Sequence, residues 1–281
     1  MEKIRPPAVA GTFYPSDVGA LNVLLDDCFL TSPLGPQGTK LALPSLIGGM
    51  VPHAGFIYSG PCAAHFFACL DTSVKRVILL GVNHGGRGHR AALSPWQGWQ
   101  TPLGNVPVDG ELNEAFAARI NFLKQDGLAH RQEHSIEVQL PLLQRVLGNF
   151  TFLPISLSYL SMEECAELGA AVAQACKSDT SPTPRTIILA SSDLNHYLSP
   201  AETKARDELA LKQVLALNPA GLMDIVENEN ISMCGVLPTA VMLFAVNRLG
   251  VKQARLLKHC HSGDVSPMRK VVGYASVALT Q

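Results

Sequence analysis

Residues 46–55 read L-I-G-G-M-V-P-H-A-G, an apolar run of strand length that ends at a histidine. The pattern recurs in R-V-I-L-L-G-V-N-H at residues 76–84 and in R-T-I-I-L-A-S-S-D-L-N-H at residues 185–196. Continuous apolar runs of this length, bounded by turn residues, are typical of strands buried in a parallel sheet. Each of the three strands is therefore predicted to carry polar side chains just beyond its carboxyl end.

Similar apolar runs alternate along the chain with longer segments whose apolar residues recur at helical spacing. Strands are predicted at residues 46–51, 76–82, 150–157, 185–190, 255–258 and 271–278. Helices are predicted at residues 59–70, 109–120, 136–147, 161–176, 200–217 and 235–249, after a first helix with Ser16 as its N-cap. This alternation predicts an α/β fold: a single layered domain over residues 1–281, with a central, largely parallel or mixed sheet flanked by helices. Residues 89–109 add either a strand pair or a long excursion from the sheet.

The composition excludes several classes of function. The formal net charge is −1, so the basic surplus typical of nucleic-acid binding is missing. The longest apolar stretch, residues 231–246, is too short to span a membrane and is broken by Gly235 and Pro238. The amino-terminal residues lack the apolar run of a secretory signal, so we expect a cytoplasmic protein. The seven cysteines contain no C-x-x-C pair, which argues against a zinc ribbon or a disulfide framework.

Polar side chains at the strand ends suggest a metal site. His53, His84, Asp193 and His196 each follow a predicted strand. Residues beyond the carboxyl ends of parallel strands converge on one crevice, so these four are predicted neighbours. Imidazole suits iron, copper, nickel and zinc, and two histidines with an anionic ligand are typical of a non-haem centre.

The anionic ligand is left open between Asp193 and Cys234. Cys234 precedes the apolar run G-V-L-P-T-A-V-M-L-F-A-V, where helix-start amides and a metal cation would both stabilise a thiolate. A further polar segment, E-H-S-I-E at residues 133–137, enters a predicted helix, either as a helix-start capping group or as part of the site.

Seven segments together resemble the Memo family, named for mediator of cell motility. They are R-P-P-A-V-A-G-T-F-Y-P (5–15), V-P-H-A-G-F-I-Y-S-G (51–60), G-V-N-H (81–84), E-H-S-I-E-V-Q-L-P (133–141), S-S-D-L-N-H-Y (191–197), C-G-V-L-P-T (234–239) and V-V-G-Y-A-S (271–276). The resemblance implies a domain built like the class III extradiol ring-cleavage dioxygenases, which hold non-haem iron(II) with two histidines and a glutamate. It implies that the metal ligands are His53, His84 and Cys234. It also implies that the same pocket is lined by His134, Asp193 and His196.

These features favour a metal-dependent oxidoreductase with a dioxygenase-like site, in which His196 or His134 acts as general acid and base beside Asp193. Iron(II) is the favoured metal, with copper or zinc as alternatives because Cys234 stands where the dioxygenases have a carboxylate. The alternatives are a non-catalytic protein that binds a peptide or sequesters a redox metal in the cleft, and a metal-assisted hydrolase. The ligand would be a small molecule or a peptide. The resemblance also implies association with an AMMECR-type protein and a radical-SAM protein.

Overall fold

The computed structural model of the protein describes residues 3–40, 43, 45–177 and 185–281. The strands are β1 (Ile4–Arg5), β2 (Leu46–Val51), β3 (Val74–Val82), β4 (Ala91–Leu93), β5 (Gly98–Thr101), β6 (Gly104–Pro107), β7 (Lys124–Gln125), β8 (Thr151–Leu157), β9 (Arg185–Ser191), β10 (His196–Leu198), β11 (Gln253–His261) and β12 (Val271–Thr280). The helices are α1 (Val18–Asp26), α2 (Phe56–Phe67), α3 (Gly110–Arg119), α4 (Leu128–Arg131), α5 (Gln139–Leu147), α6 (Met162–Lys177), α7 (Pro200–Leu215), α8 (Pro219–Asn228), α9 (Val236–Arg248) and α10 (Ser262–Val265).

Nine of these strands form the central sheet, in the order β10-β12-β2-β9-β3-β8-β4-β7, with β11 paired to β12. The four middle strands, β2, β9, β3 and β8, run parallel to one another. Antiparallel partners flank them, because β12 pairs antiparallel with β2 and β4 pairs antiparallel with β8. The predicted α/β fold with a central mixed sheet is therefore confirmed. His53 and His84 follow two of its parallel strands, β2 and β3.

Both faces of the middle strands are buried, which explains why their sequences are continuously apolar. Successive side chains of β3 point to opposite faces, so Ile78 and Leu80 pack in one core while Val77 and Leu79 pack in the other. The first core also contains residues of α6, α7, α8 and α9, and the second contains residues of α1, α2 and α5. Helices thus cover both faces of the sheet.

Several boundaries differ from the sequence predictions. The N-cap of α1 is Asp17, not Ser16, because the Asp17 side chain accepts the backbone N–H of Ala20 at 2.8 Å. The segment 89–109 contains a strand pair: β5 and β6 form a hairpin, which β1 joins to make a separate three-stranded sheet. A capping box begins α6, since Ser161 and Glu164 exchange hydrogen bonds between side chain and backbone.

Among the described residues, no helix is long and apolar enough to cross a membrane. Strands from residues 46 to 280 share the central sheet, so both halves of the chain contribute to one layer. The single domain over residues 1–281 stays a prediction.

Candidate metal centre

The ends of three adjacent strands position the first group of side chains. His53 follows β2, His84 follows β3, and Asp193 follows β9, which lies between β2 and β3 in the sheet. Because these strands are parallel, the three residues emerge at the same edge, as the sequence predicted.

Three imidazoles meet at this edge. One ring nitrogen from each of His53, His84 and His134 lies within 4.8 Å of the other two, a group that could hold a metal ion. The rings of His84 and His134 stack with centroids 4.6 Å apart, and the His53 ring stands edge-on to both, at 5.1 and 5.4 Å. His53 is buried, while the other two are partly exposed. We call these three residues the imidazole cluster.

The thiol of Cys234 lies against this cluster. Its Sγ is 3.2 Å from His53 Nε2 and 3.7 Å from the backbone oxygen of Asp193. Burial, together with the negative charge of Asp193, raises the pKa of the Cys234 thiol well above its usual range. Backbone hydrogen bonds lower this pKa in part, but burial outweighs them, and the N–H of Gly235 at the start of α9 donates to Ser192 Oγ. Only a cation would make Cys234 a thiolate.

Hydrogen bonds fix which nitrogen of His53 faces Cys234. Ser191 Oγ donates to the carbonyl of Ser135 at 2.7 Å, because a carbonyl oxygen can only accept. The same oxygen then accepts from Gln139 Nε2 and from His53 Nδ1, each at 2.9 Å. His53 therefore carries its proton on Nδ1, and its Nε2 lone pair accepts from the Cys234 thiol.

A carboxylate orients His84 in the same way. Glu133 Oε1 accepts from His84 Nδ1 at 2.9 Å, and Oε2 accepts the backbone N–H of His84 at 2.7 Å. Since a carboxylate only accepts, His84 is also protonated on Nδ1 and leaves Nε2 free. A carboxylate behind an imidazole is the usual orienting partner of a metal-binding histidine.

The ring of His134 is held between two other rings. Its ring stacks on His84 and contacts the ring of Phe13, with centroids 4.5 Å apart. Burial is the main cause that lowers the pKa of His134 to about 4, and the His84 imidazole adds to it. Burial likewise holds the pKa of His53 well below its usual range. Both imidazoles are thus neutral at neutral pH, the form that binds metal ions.

Asp193 and His196 lie beside the cluster with different partners. Asp193 Oδ1 accepts the backbone N–H of His53 at 2.7 Å, and burial raises the pKa of this carboxyl to about 6. His196 Nδ1 lies 2.8 Å from the carbonyl of Ser232, so this nitrogen donates and Nε2 is left as a base. The structure therefore brings all six residues of the predicted site to one region, with Asp193 bonded to the backbone that carries His53.

Sequence reasoning missed Glu133, Ser191 and Gln139 as functional residues. The segment E-H-S-I-E contained the signal for Glu133, because a carboxylate directly before a pocket histidine can orient a neighbouring imidazole. Ser191 and Gln139 left no comparable signal, since a single hydroxyl or amide is common at any strand end or helix start.

The fold and the site together define an α/β protein with a candidate metal centre at the carboxyl ends of its parallel strands. The Memo family, described as Memo-like protein, matches residues 5–278, and this chain belongs to that family.

Archaeal and bacterial proteins resemble the chain over its whole length. A MEMO1 family protein of Methanopyrus kandleri is 39% identical, over 97% of this chain and 98% of its own. A MEMO1 family protein of Thermotoga neapolitana is also 39% identical, over 99% of this chain and 100% of its own. The crystal structure of an uncharacterized protein from Escherichia coli K12 has a similar fold, with a TM-score of 0.54 at 10% identity, over 83% of this chain and 99% of that chain.

Proposed function

We propose that this chain is a metal-dependent oxidoreductase whose non-haem centre is held by His53, His84 and Cys234. One observation carries the proposal: His53 and His84 each have their proton fixed on Nδ1 and present an Nε2 lone pair, and that of His53 lies 3.2 Å from the buried thiol of Cys234. Two nitrogens and one sulfur suit iron(II), the favoured metal, and also copper or zinc. The dioxygenase-like character of the site is part of this proposal.

When bound, a redox-active metal would supply a place for oxygen to bind and a route for electrons to and from a substrate. The chain's own residues do the rest. His196 Nε2 accepts or returns a proton, because Nδ1 is already committed to Ser232. Asp193 holds the backbone of His53 in register, and the Phe13 ring contacts the ring of His134.

A second candidate, metal sequestration without turnover, is favoured by the position of His134. If His134 joins His53, His84 and Cys234, four donors surround the ion. Four protein ligands are typical of closed, structural sites, whereas catalytic sites keep one position open. Metal-assisted hydrolysis, a peptide ligand and association with AMMECR-type and radical-SAM proteins stay predictions.

Protein purified without oxygen, analysed for bound metal and then mixed with oxygen, tests the proposal. We expect stoichiometric iron, oxygen uptake in the presence of a reductant, and loss of metal in His53→Ala and His84→Ala. His134→Ala is the matched control, and it should keep its metal. Loss of metal in His134→Ala with retention in Cys234→Ser would make His134 the third ligand. Bound metal with no oxygen uptake would favour sequestration, and no bound metal would contradict both functions.

A further inference from the structure

A buried carboxylate outside the proposed metal centre is hydrogen-bonded to the segment that carries Asp193 and His196. Asp207, on α7, is fully buried. Its Oδ1 accepts the backbone N–H of Asn195 at 2.8 Å, and its Oδ2 lies 2.9 Å from His259 Nε2 on β11. Asn195 stands between Asp193 and His196, so Asp207 contacts the backbone at the middle of this segment.

Strand β12 approaches the same segment closely. Gly273 donates its N–H to the carbonyl of Asn195 and accepts the N–H of Leu194, both at 2.9 Å. A Cβ atom at residue 273 would lie 2.0 Å from Asp207 Oδ2, so only glycine lets the carboxylate reach the strand. The Asp207 carboxylate is thus enclosed by β12 on one side and by Asn195 and His259 on the others.

The Asn195 side chain is hydrogen-bonded to the segment that precedes Cys234. Its Oδ1 accepts from the backbone N–H of Ser232 at 3.3 Å and from Ser232 Oγ at 3.2 Å. The backbone N–H of His196 donates to Ser232 Oγ at 2.7 Å, and the His196 ring donates to the Ser232 carbonyl. Ser232 lies two residues before Cys234, so one hydrogen-bonded network links Asp207 to both sides of the proposed centre.

We propose that Asp207 is a positioning residue that holds Asn195 and Ser232 in register, and thereby sets the tautomer of His196 and the position of Cys234. The inference rests on the proposed function, because positioning matters only if these two residues act at the metal. A fixed acceptor at Asn195 N–H is needed because a buried amide without a partner would turn toward another acceptor and carry the segment with it.

The test compares Asp207→Asn with Asp109→Asn. An amide offers one acceptor oxygen where the carboxylate offers two, so the N–H groups of Asn195 and His259 would compete for it. Asp109 is also buried. It is the N-cap of α3, where it accepts the N–H of Leu112, and it pairs with Arg76, but it does not contact the centre. Both variants should lose stability to unfolding. Only Asp207→Asn should also weaken the binding of zinc, used alone as the probe, by about 10- to 100-fold, the usual effect of removing an outer partner of a metal site.

Nitrogen NMR of the metal-free protein supplies the readout that a purely structural role would not move. In the unchanged protein and in Asp109→Asn, His196 should carry its proton on Nδ1, whereas Asp207→Asn should give a mixture of tautomers. Equal zinc affinities in the two variants, with His196 unchanged, would overturn the inference. If Asp207→Asn does not fold, His259→Leu removes the other partner of the carboxylate and should shift both readouts in the same direction. Failure of the unchanged protein to bind zinc would contradict the proposed function, while the His196 tautomer would still decide the role of Asp207.

Discussion

At the scale of single residues, Glu133 makes hydrogen bonds to more residues of the site than the sequence indicated. Its carboxylate accepts four N–H groups: the ring and backbone of His84 and the backbones of His134 and Ser135. Burial alone would raise its pKa, but the hydrogen bonds and the nearby imidazoles win and lower the pKa of Glu133 to about 2. Glu133 is therefore a carboxylate throughout the ordinary pH range.

We expect Glu133→Gln to lower metal affinity by about 10- to 100-fold, because an amide offers one acceptor oxygen where the carboxylate offers two. Competition with a coloured chelator measures the affinity. Glu163→Gln is the matched control, since Glu163 is on the surface at the start of α6. An unchanged affinity in Glu133→Gln would contradict the orienting role.

His130 makes the free energy of unfolding depend on pH. It is fully buried, its Nε2 donates to the carbonyl of Ala92 at 3.1 Å, and burial, with the nearby Arg5, lowers its pKa to about 3. The unfolded chain binds a proton at His130 below pH 6.5 and the folded chain does not, so this contribution to stability is present above pH 6.5 and is lost as the pH falls.

At about pH 5.5 the loss from one such histidine is about 1.3 kcal/mol relative to neutral pH. Urea unfolding at both pH values measures it, with His130→Gln as the comparison because glutamine keeps a donor for Ala92. The variant should lose less stability on acidification than the unchanged protein. Identical pH dependence in the two proteins would rule out a neutral, buried His130.

At the scale of elements, the amino-terminal segment is attached to the entrance of α5 by one carboxylate. Glu137 accepts from Arg5 Nη1 at 2.6 Å, from the Tyr14 hydroxyl at 2.7 Å and from two backbone N–H groups, those of Ala8 and Val9. Arg5 also lies over the Trp99 ring, 4.1 Å from its centroid. This attachment places the intervening Phe13 against His134, so the amino-terminal segment contributes a side chain to the site.

Removing one partner should expose how much this attachment contributes. Arg5→Met leaves the Glu137 charge buried without its cation, which should destabilise the protein by about 3–5 kcal/mol. Arg145→Met removes a pair with Asp26 in which both side chains are half exposed, and should change stability by less than about 1 kcal/mol. Urea unfolding of the two variants compares them. Similar small losses would mean that the buried pair is not essential to the segment.

Most of the long elements could be predicted from the sequence, and the short ones could not. The strands β2, β3, β8 and β9 are buried on both faces, so their apolar runs were unambiguous. By contrast, β10 has three residues and exists only because β12 pairs with it. Helix α8 was missed although Asn218 as N-cap and Pro219 as the first helical residue are standard start signals.

At the scale of the whole molecule, strands from both halves of the chain share the central sheet, which leads us to expect one cooperative unfolding transition. Circular dichroism reports all helices, whereas tryptophan fluorescence reports only Trp96 and Trp99, on the side of the amino-terminal segment. The two signals should give the same midpoint in urea. Separate transitions would contradict the single domain predicted for residues 1–281.

The site could be predicted to the extent that the sheet alone determines it. His53, His84 and Asp193 follow parallel strands, so their convergence needed no knowledge of packing. His134 lies outside any strand, in a segment placed by the bonds of Glu137 to the amino terminus. Its stacking on His84 depends on that tertiary arrangement, and no local pattern in the sequence encodes it.

The place of β2 in the sheet also has a consequence for biosynthesis. Its two neighbours, β9 and β12, both lie far downstream in the chain. While the ribosome is still making those strands, the uncharged segment L-I-G-G-M-V has two bare edges that could pair with other nascent chains. The segment therefore stays open to such pairing until both β9 and β12 have been made.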